Sequence, residues 1–297
     1  MGYINIFVSR DAYIYVKDNQ LKLDGKGKVS DFPLEDVNSV MIENLSTTIS
    51  TYTLSRFAEL GILVFICNQN HLPCGVVLPF CEHYQTLSQY ENQVALSKPL
   101  KKQLWQTIIK NKIGNQNDVW NTCGGMDNLL KLQETVLSGD SENNEAKASL
   151  LYFKGLFGKN FIRRSDDIIN GFLNYGYSII RGFVARSIVT HGLMPFLGVF
   201  HHNLYNSFNL ADDIMEVFRP QVDLYVKLKL TDKKELTPTI KGELYNIVNM
   251  EISVDNQRHS VSTAIDMFVE SFAKSIKENK NLLKTIKICG IEIHEYE

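Results

Sequence analysis

Residues 99–113 read PLKKQLWQTIIKNKI, and this stretch decides how the chain divides. Its apolar residues recur three and four positions apart, the spacing that aligns side chains on one face of an α-helix. A proline also suits the first position of a helix, where its missing N–H costs nothing. Helical spacing recurs in residues 126–136, 145–157, 172–191 and 264–277. We therefore expect residues 99–297 to form a larger, all-helical domain.

The first eighty residues show a different pattern, with short runs of β-branched and aromatic residues separated by turn formers. The residues from Asp18 to Gln20 suit a hairpin between two of these runs. One short helix is expected, and it ends near Gly61, as helix C-termini often do. The predicted strands are residues 4–8, 12–16, 21–23, 37–42 and 62–67. Residues 1–80 are therefore predicted to form a β-rich N-terminal domain, and the fold class is α+β.

Residues 81–98 lack a sustained apolar stripe and are mostly polar. Segments of this kind commonly connect domains. We predict a linker here.

The composition is that of a globular protein: 297 residues, 44% hydrophobic, 22% charged, with a formal net charge of -2. No apolar run is long enough to span a membrane, and the N-terminus lacks a signal-peptide pattern, so we expect a cytoplasmic protein without a membrane partner. The near-neutral charge requires any nucleic-acid footprint to be local. One local basic cluster consists of Lys154, Lys159, Arg163 and Arg164, although such clusters are often solvated helix faces.

The five cysteines do not indicate a disulfide framework, because their number is odd and no pair has Cys-x-x-Cys spacing. The gaps between the neighbouring cysteines and histidines also fit no common zinc pattern. These residues are Cys67, His71, Cys74, Cys81 and His83.

The most informative segment for chemistry is residues 198–220, GVFHHNLYNSFNLADDIMEVFRP. Asp213 and Glu216 are three positions apart, so on a helix both carboxylates could point at a common cation. His201 precedes Glu216 by fifteen positions. Carboxylates with an imidazole suit Mg²⁺ or Mn²⁺ alongside water and phosphate, which is typical of phosphodiester chemistry. The alternative is an acidic helix start favoured by the helix dipole, with Arg219 as an ordinary ion-pair partner.

Two further segments are ambiguous by themselves. Glu145 lies in the first turn of a predicted helix, where a glutamate often acts as a cap or dipole partner. Residues 163–180 combine two arginines with an aromatic helix, which could position a backbone phosphate or simply pack.

Together these segments resemble the CRISPR-associated integrase/endonuclease family, the first of the numbered Cas proteins, in its type II version. The resemblance covers nearly the whole chain. It rests on Glu145 with Tyr152-Phe153, on residues 173–177 (LNYGY), and on His201 with residues 209–220 (NLADDIMEVFRP). It implies an N-terminal β-sandwich-like domain followed by a helical catalytic domain.

The resemblance also implies a metal site. Glu145, His201 and Glu216 would be the catalytic residues and the metal ligands, holding Mg²⁺ or Mn²⁺, with Asp213 an accessory carboxylate near the cation. The spacing from the histidine to the Phe-Asn step favours His201 over His202. The roles of His202, Asp212 and Asp213 stay open.

The implied activity is DNA integration: the 3′-hydroxyl of a captured fragment, the prespacer, attacks a phosphodiester at the leader–repeat boundary of a CRISPR array. The implied partners are double-stranded DNA, a second copy of the chain as a homodimer, and a small ferredoxin-like bridging subunit, with four integrase copies to two bridging copies. Other type II adaptation proteins are further candidates. The alternatives are a metal-dependent endonuclease acting on branched DNA and a non-catalytic DNA-binding scaffold.

Overall fold

The computed structural model describes residues 2–25, 27–79, 84–125 and 129–295. The N-terminal part is rich in strands, as expected. Its elements in chain order are β1 (Ile4–Val8), β2 (Tyr13–Lys17), β3 (Gln20–Gly25), β4 (Lys28–Pro33), β5 (Val37–Ile42), β6 (Thr48–Ile49), α1 (Thr51–Glu59), β7 (Leu63–Cys67) and β8 (Pro73–Val77).

The N-terminal strands form two four-stranded sheets, in the orders β1-β5-β7-β8 and β4-β3-β2-β6. A small apolar core lies between them and includes Ile6 and Val64 from the first sheet and Ile14 and Leu21 from the second. The predicted β-sandwich-like domain is confirmed. The β2–β3 turn uses Asp18 and Asn19, both with positive φ, which is the backbone geometry of a tight hairpin.

The C-terminal part is mainly helical. Its elements are α2 (Thr86–Val94), α3 (Lys98–Thr122), α4 (Leu130–Glu134), α5 (Asn144–Phe157), α6 (Ile168–Thr190), α7 (Asn209–Met215), α8 (Arg219–Lys229), α9 (Pro238–Tyr245), β9 (Met250–Val254), β10 (Gln257–Ser260), α10 (Val261–Lys277) and β11 (Ile286–Ile293). The long helix α3 begins where the apolar spacing and Pro99 predicted. Residues 126–128, part of one predicted helix, lie outside the described residues.

Two features differ from the sequence predictions. The segment 81–98 is not only a connection, because residues Thr86–Val94 form helix α2. The C-terminal part is not all-helical either, because β9, β10 and β11 form an antiparallel sheet. Residues 81–83, the first three of the predicted linker, and residue 80 before them lie outside the described residues.

The two parts pack closely on each other. Strand β7 lies against α6 at Gly182, where an added Cβ would come 2.2 Å from the ring of Phe65. Arg186 of α6 is buried and donates hydrogen bonds to Asn38, 2.8 Å to its carbonyl and 2.7 Å to its side chain. The sandwich thus supports α6, one of the helices that carries site residues.

The described cysteines, Cys67, Cys74, Cys123 and Cys289, are free thiols. Burial raises the pKa of Cys67 to about 12, as expected for a core thiol. Cys81 and His83 lie outside the described residues. None of the helices in the described ranges has the length and apolar character that a membrane span needs.

Candidate active site

A cavity of about 970 Å³ lies among α3, α5, α6 and the turn between α7 and α8. All three residues expected as metal ligands, Glu145, His201 and Glu216, line it, although they are separated by up to 71 positions in sequence. The structure therefore brings the three together at one pocket.

Glu145 is not the cap of its helix. The carboxylate of Asp140 accepts hydrogen bonds from the backbone N–H of Asn144, at 2.8 Å, and of Glu145, at 3.0 Å, and so satisfies the first turn of α5. The side chain of Glu145 is left to face the pocket, where Ser149 Oγ donates a hydrogen bond to it at 3.1 Å. The capping interpretation of Glu145 is therefore wrong, because Asp140 fills that role.

Glu216 lies just after α7, in the turn that leads into α8. Asn115 of α3 donates a hydrogen bond to the carbonyl of the next residue, Val217, at 3.0 Å and fixes this turn. Arg219 forms an ion pair with Glu216, with 3.0 Å between Nε and Oε1, although the angle is not that of a directed hydrogen bond. Glu216 is only 6% exposed, so its carboxylate is held in a defined, largely dry place.

Lys112 joins the two carboxylates. Its ammonium lies 2.5 Å from Glu216 Oε2 and also contacts Glu145 Oε1. Burial opposes the charge on Lys112, but the negative charges of Glu216 and Glu145 outweigh it and raise its pKa. Burial likewise opposes ionisation of Glu216, but Arg219 and Lys112 outweigh it and lower its pKa. Both shifts favour the charged forms of Lys112 and Glu216.

His201 is oriented by Asp213. The imidazole Nδ1 lies 2.6 Å from Asp213 Oδ1, and this contact is the largest of the effects that raise the pKa of His201. Asp213 also accepts hydrogen bonds from the backbone N–H of Val199, Phe200 and His201, at 2.7, 3.0 and 3.1 Å. In the neutral imidazole, a carboxylate that accepts from Nδ1 makes Nδ1 the protonated nitrogen and leaves Nε2 with its lone pair.

The three-residue spacing suggested that Asp213 and Glu216 share a cation. In the structure, however, their carboxylates do not face a common point. Helix α7 ends at Met215, and the two carboxylates point to different partners because Asp213 is fully buried among the N–H groups of the preceding loop. Asp212 bonds Arg181 and Asn206 instead, with 2.8 Å to Arg181 Nε and 2.6 Å to Asn206 Nδ2. His202 is exposed and lies outside this pocket.

Trp105 of α3 packs against the loop that carries His201. Its ring stacks on Phe200, with centroids 4.2 Å apart, and meets the ring of His201 edge to face at 5.9 Å. Trp105 and Lys112 are two helical turns apart on the same helix, so α3 positions both sides of the site.

The pocket is locally basic. Five basic side chains line it, against three acidic ones, in a chain whose net charge is negative. The basic side chains are Lys112, Lys154, Arg163, Arg164 and Arg219, and the acidic ones are Glu145, Glu216 and Asp223. Three of the four residues in the basic cluster noted in the sequence lie here; Lys159 does not. Such a surface suits a polyanionic ligand.

The donor types suit a hard divalent cation, because carboxylate oxygens are the preferred ligands of Mg²⁺ and Mn²⁺. Two carboxylates already share one cation, the ammonium of Lys112. Within the described ranges, however, no three His, Cys, Asp or Glu side chains lie together as a ready-made metal site. The donor types therefore fit a divalent cation, and the ammonium of Lys112 occupies the position between Glu145 and Glu216.

The sequence analysis missed Lys112 and Asp223. A signal for Lys112 exists: it follows Ile108 by four positions and Ile109 by three, so it lies on the apolar face of α3. A lysine on such a face is almost never buried without a partner. Asp223 lies between two apolar residues of α8, Val222 and Leu224, and all three residues are buried.

The chain is similar to proteins of one known family. The family model described as "CRISPR associated protein Cas1" matches residues 6–240. The CRISPR-associated endonuclease Cas1 of Neisseria meningitidis serogroup C (strain 8013) is 37% identical over 305 residues, covering all of both chains.

Two solved structures share the fold at lower identity. A casposase bound to integration product has a TM-score of 0.77 at 19% identity and covers 100% of this chain and 96% of its own. A Cas6-RT-Cas1–Cas2 complex has a TM-score of 0.68 at 18% identity and covers 94% of this chain and 35% of its own. With the family match over most of its length and a full-length relative, the chain belongs to the Cas1 family of CRISPR-associated endonucleases.

Proposed function

We propose that this chain is a divalent-metal-dependent DNA integrase that joins the 3′-hydroxyl end of a captured DNA fragment to the leader–repeat boundary of a CRISPR array. Family membership supports nuclease or integrase chemistry in general. One observation supports the proposal most strongly. Glu145, His201 and Glu216 line one pocket with a basic wall, and the carboxylates of Glu145 and Glu216 both contact the ammonium of Lys112.

The reaction is a transesterification. The 3′-oxygen of the fragment attacks a phosphorus atom of the target strand, one P–O bond forms, and one P–O bond to the target's own 3′-oxygen breaks. The attacking hydroxyl loses its proton, and the leaving 3′-oxygen gains one. The number of phosphodiesters is unchanged, so no energy carrier is required.

Glu145, His201 and Glu216 would hold the metal ion, Mg²⁺ or Mn²⁺. A divalent cation bound there would help to orient the hydroxyl and would neutralise charge that develops on the phosphate. Asp213 keeps the proton on Nδ1 of His201 and so presents Nε2 as the donor atom. The arginines of the pocket wall would attract the DNA backbone and hold it against the site.

The test is a strand-transfer assay with a 3′-labelled target duplex containing a repeat and a fragment ending in a 3′-hydroxyl. Glu145→Gln, His201→Ala and Glu216→Gln should each lower joining by roughly a hundredfold or more, because each removes a proposed ligand. Glu142→Gln is the matched control, since Glu142 is an exposed acid three residues before Glu145. Normal joining by all three variants would overturn the site assignment.

A second substrate separates integration from hydrolysis. A fragment that ends in a 3′-deoxy sugar cannot attack, so joined product should disappear while any water-driven cutting continues. Cut ends without joined strands would favour the structure-specific nuclease, and DNA binding without any metal-dependent product would favour the scaffold.

The proposed partners follow from the same site. Double-stranded DNA fits the basic pocket, and the similarity to a chain of a Cas1–Cas2 complex supports a small bridging subunit that joins homodimers. Co-purification with the bridging subunit, followed by measurement of the mass of the complex in solution, tests four integrase copies to two bridging copies.

A further inference from the structure

One aromatic ring in the pocket wall holds two cations. The guanidinium carbon of Arg163 lies 5.0 Å from the centroid of Tyr177, and that of Arg219 lies 4.9 Å from the same centroid. Both distances are typical of cation–π contacts. Arg163 comes from the connection between α5 and α6, whereas Arg219 begins α8. Tyr177 thus gathers two positive charges from separate elements.

Both guanidinium groups are also fixed by hydrogen bonds or ion pairs. Arg163 donates from its two terminal nitrogens to the side-chain oxygens of Asn170, at 2.8 Å, and Asn174, at 2.9 Å. Arg219 is paired through Nε with Glu216. Two such charges on one ring repel each other, and these partners offset that repulsion.

A buried carboxylate stabilises this arrangement. Asp223 accepts hydrogen bonds from the hydroxyl groups of Tyr177 and of Tyr152, the latter at 3.1 Å. It is 1% exposed, and its negative charge favours the two nearby arginines. The hydroxyl end of Tyr177 is therefore bonded to Asp223, and the ring itself is held by packing, since Tyr177 is 6% exposed.

The arginines keep donors for a ligand. Among the described residues, nothing bonds the two terminal nitrogens of Arg219, whose side chain is 30% exposed. Each terminal nitrogen of Arg163 uses one N–H on an asparagine and retains another. Both side chains line the pocket that contains the three proposed ligands. Guanidinium groups that are held in place and keep several N–H donors suit the oxygens of a phosphodiester.

We propose that Arg163 and Arg219, positioned by Tyr177, form a phosphate-binding site for one backbone phosphate of the DNA strand held in this pocket. The choice of DNA as the source of the phosphate rests on the proposed function. Tyr177 is a positioning residue: its ring holds the arginines and does not itself contact the phosphate.

The test is DNA binding in EDTA, where no joining occurs, measured by fluorescence anisotropy over a series of salt concentrations. Arg163→Ala should weaken binding about tenfold and reduce the slope of log affinity against log salt by about one, the signature of one lost phosphate contact. Lys159→Ala is the control, since Lys159 is exposed on the same connection and lies outside the pocket. An equal effect of both substitutions would overturn the proposal.

Tyr177 is tested without any change in charge. Tyr177→Phe keeps the ring and should bind DNA within about twofold of the wild type, whereas Tyr177→Leu removes the ring and should bind several-fold more weakly. Circular dichroism of both variants checks folding. If Tyr177→Leu is unfolded, Arg163→Lys replaces it, because lysine keeps the charge but lacks the planar pair of terminal nitrogens that bond Asn170 and Asn174. Wild-type binding by the ring-free variant or by Arg163→Lys would overturn the proposal.

This outcome is separable from that of the integrase proposal. If Glu216→Gln joins DNA normally while Arg163→Ala still lowers the salt slope, the metal-site assignment fails and the phosphate site stands. If joining depends on Glu216 while the salt slope of Arg163→Ala equals that of the wild type, the phosphate site fails alone.

Discussion

The ammonium of Lys112 lies 2.5 Å from Glu216 Oε2 and contacts Glu145 as well, so this chain supplies its own cation at the centre of the candidate site. Lys112 is 6% exposed. A buried carboxylate without a positive partner is strongly unfavourable. Lys112 therefore stabilises the two carboxylates in the absence of metal and would compete with a metal ion for them.

Replacing Lys112 by methionine should lower stability and increase the response to metal. In EDTA the free energy of unfolding should fall by about 3 kcal/mol, because the buried carboxylate of Glu216 loses its lysine partner. Mn²⁺ should then raise the melting temperature of Lys112→Met more than that of the wild type, since binding no longer has to displace the lysine. Calorimetric unfolding with and without Mn²⁺ measures both effects.

Lys110→Met is the control for Lys112→Met. Lys110 is on the same helix and forms no ion pair within the described residues. Its substitution should leave both the stability in EDTA and the Mn²⁺ response close to those of the wild type. Equal Mn²⁺ shifts in the wild type and Lys112→Met would contradict competition between the lysine and the metal.

Replacing Asp213 by asparagine should loosen the loop that carries His201. The carboxylate accepts four hydrogen bonds there, and an asparagine turns an NH₂ group toward donors that need an acceptor. The cost should be about 2–4 kcal/mol. Hydrogen exchange at Val199, Phe200 and His201 should accelerate, and strand transfer should fall although Asp213 is not a proposed ligand.

Asp212→Asn provides the comparison. Asp212 is adjacent on the same helix but accepts from Arg181 and from Asn206, five residues beyond His201, and not from the three amides that Asp213 holds. Its substitution should leave exchange at the three loop amides unchanged. If Asp212→Asn accelerated that exchange as much as Asp213→Asn does, the loop would not depend on Asp213 in particular.

The sequence predicted the elements whose buried face is apolar. The stripe from Leu100 to Ile113 predicted α3, and Asp18-Asn19 predicted the first hairpin. Helix α2 was missed because its buried residues are Gln89 and Gln93, which leave no apolar stripe to detect. Gln93 instead hydrogen-bonds backbone groups of Met194 and Leu197, so tertiary contacts replace the pattern.

The third sheet was missed for a different reason. Strand β9 does alternate, with Met250, Ile252 and Val254 buried, but it lies among helices and was grouped with them. Within the site, the resemblance named the three side chains that meet at the pocket. The partner of two of those side chains could not be predicted, because Lys112 reaches Glu145 and Glu216 from a different helix, α3.

Replacing Asp223 by asparagine should weaken the dependence of stability on pH. Burial raises the pKa of Asp223 from 3.8 to about 6, so between these values the folded protein keeps a proton that the unfolded chain releases. The free energy of unfolding therefore decreases as the pH rises through this window, by about 3 kcal/mol at most, and the loss persists above it. Asparagine does not titrate, so the variant should lose less stability over the same window.

Denaturant unfolding on both sides of the window measures this difference. Asp166→Asn is the control, since Asp166 is exposed and forms no part of the buried network. It should follow the wild-type dependence. If Asp223→Asn lost as much stability as the wild type between the two pH values, Asp223 would not be the group that takes up the proton.

Replacing Asp140 by alanine should impair the site through the backbone of α5. The carboxylate of Asp140 accepts from the N–H groups of Asn144 and Glu145, and losing a cap of this kind costs about 1–2 kcal/mol. Because the freed first turn carries Glu145, strand transfer should fall while Glu145 itself is unchanged. Glu142→Ala, an exposed acid in the same turn, should alter neither unfolding nor joining. Full strand transfer by Asp140→Ala, despite the loss of stability, would mean that Glu145 reaches its place without help from this cap.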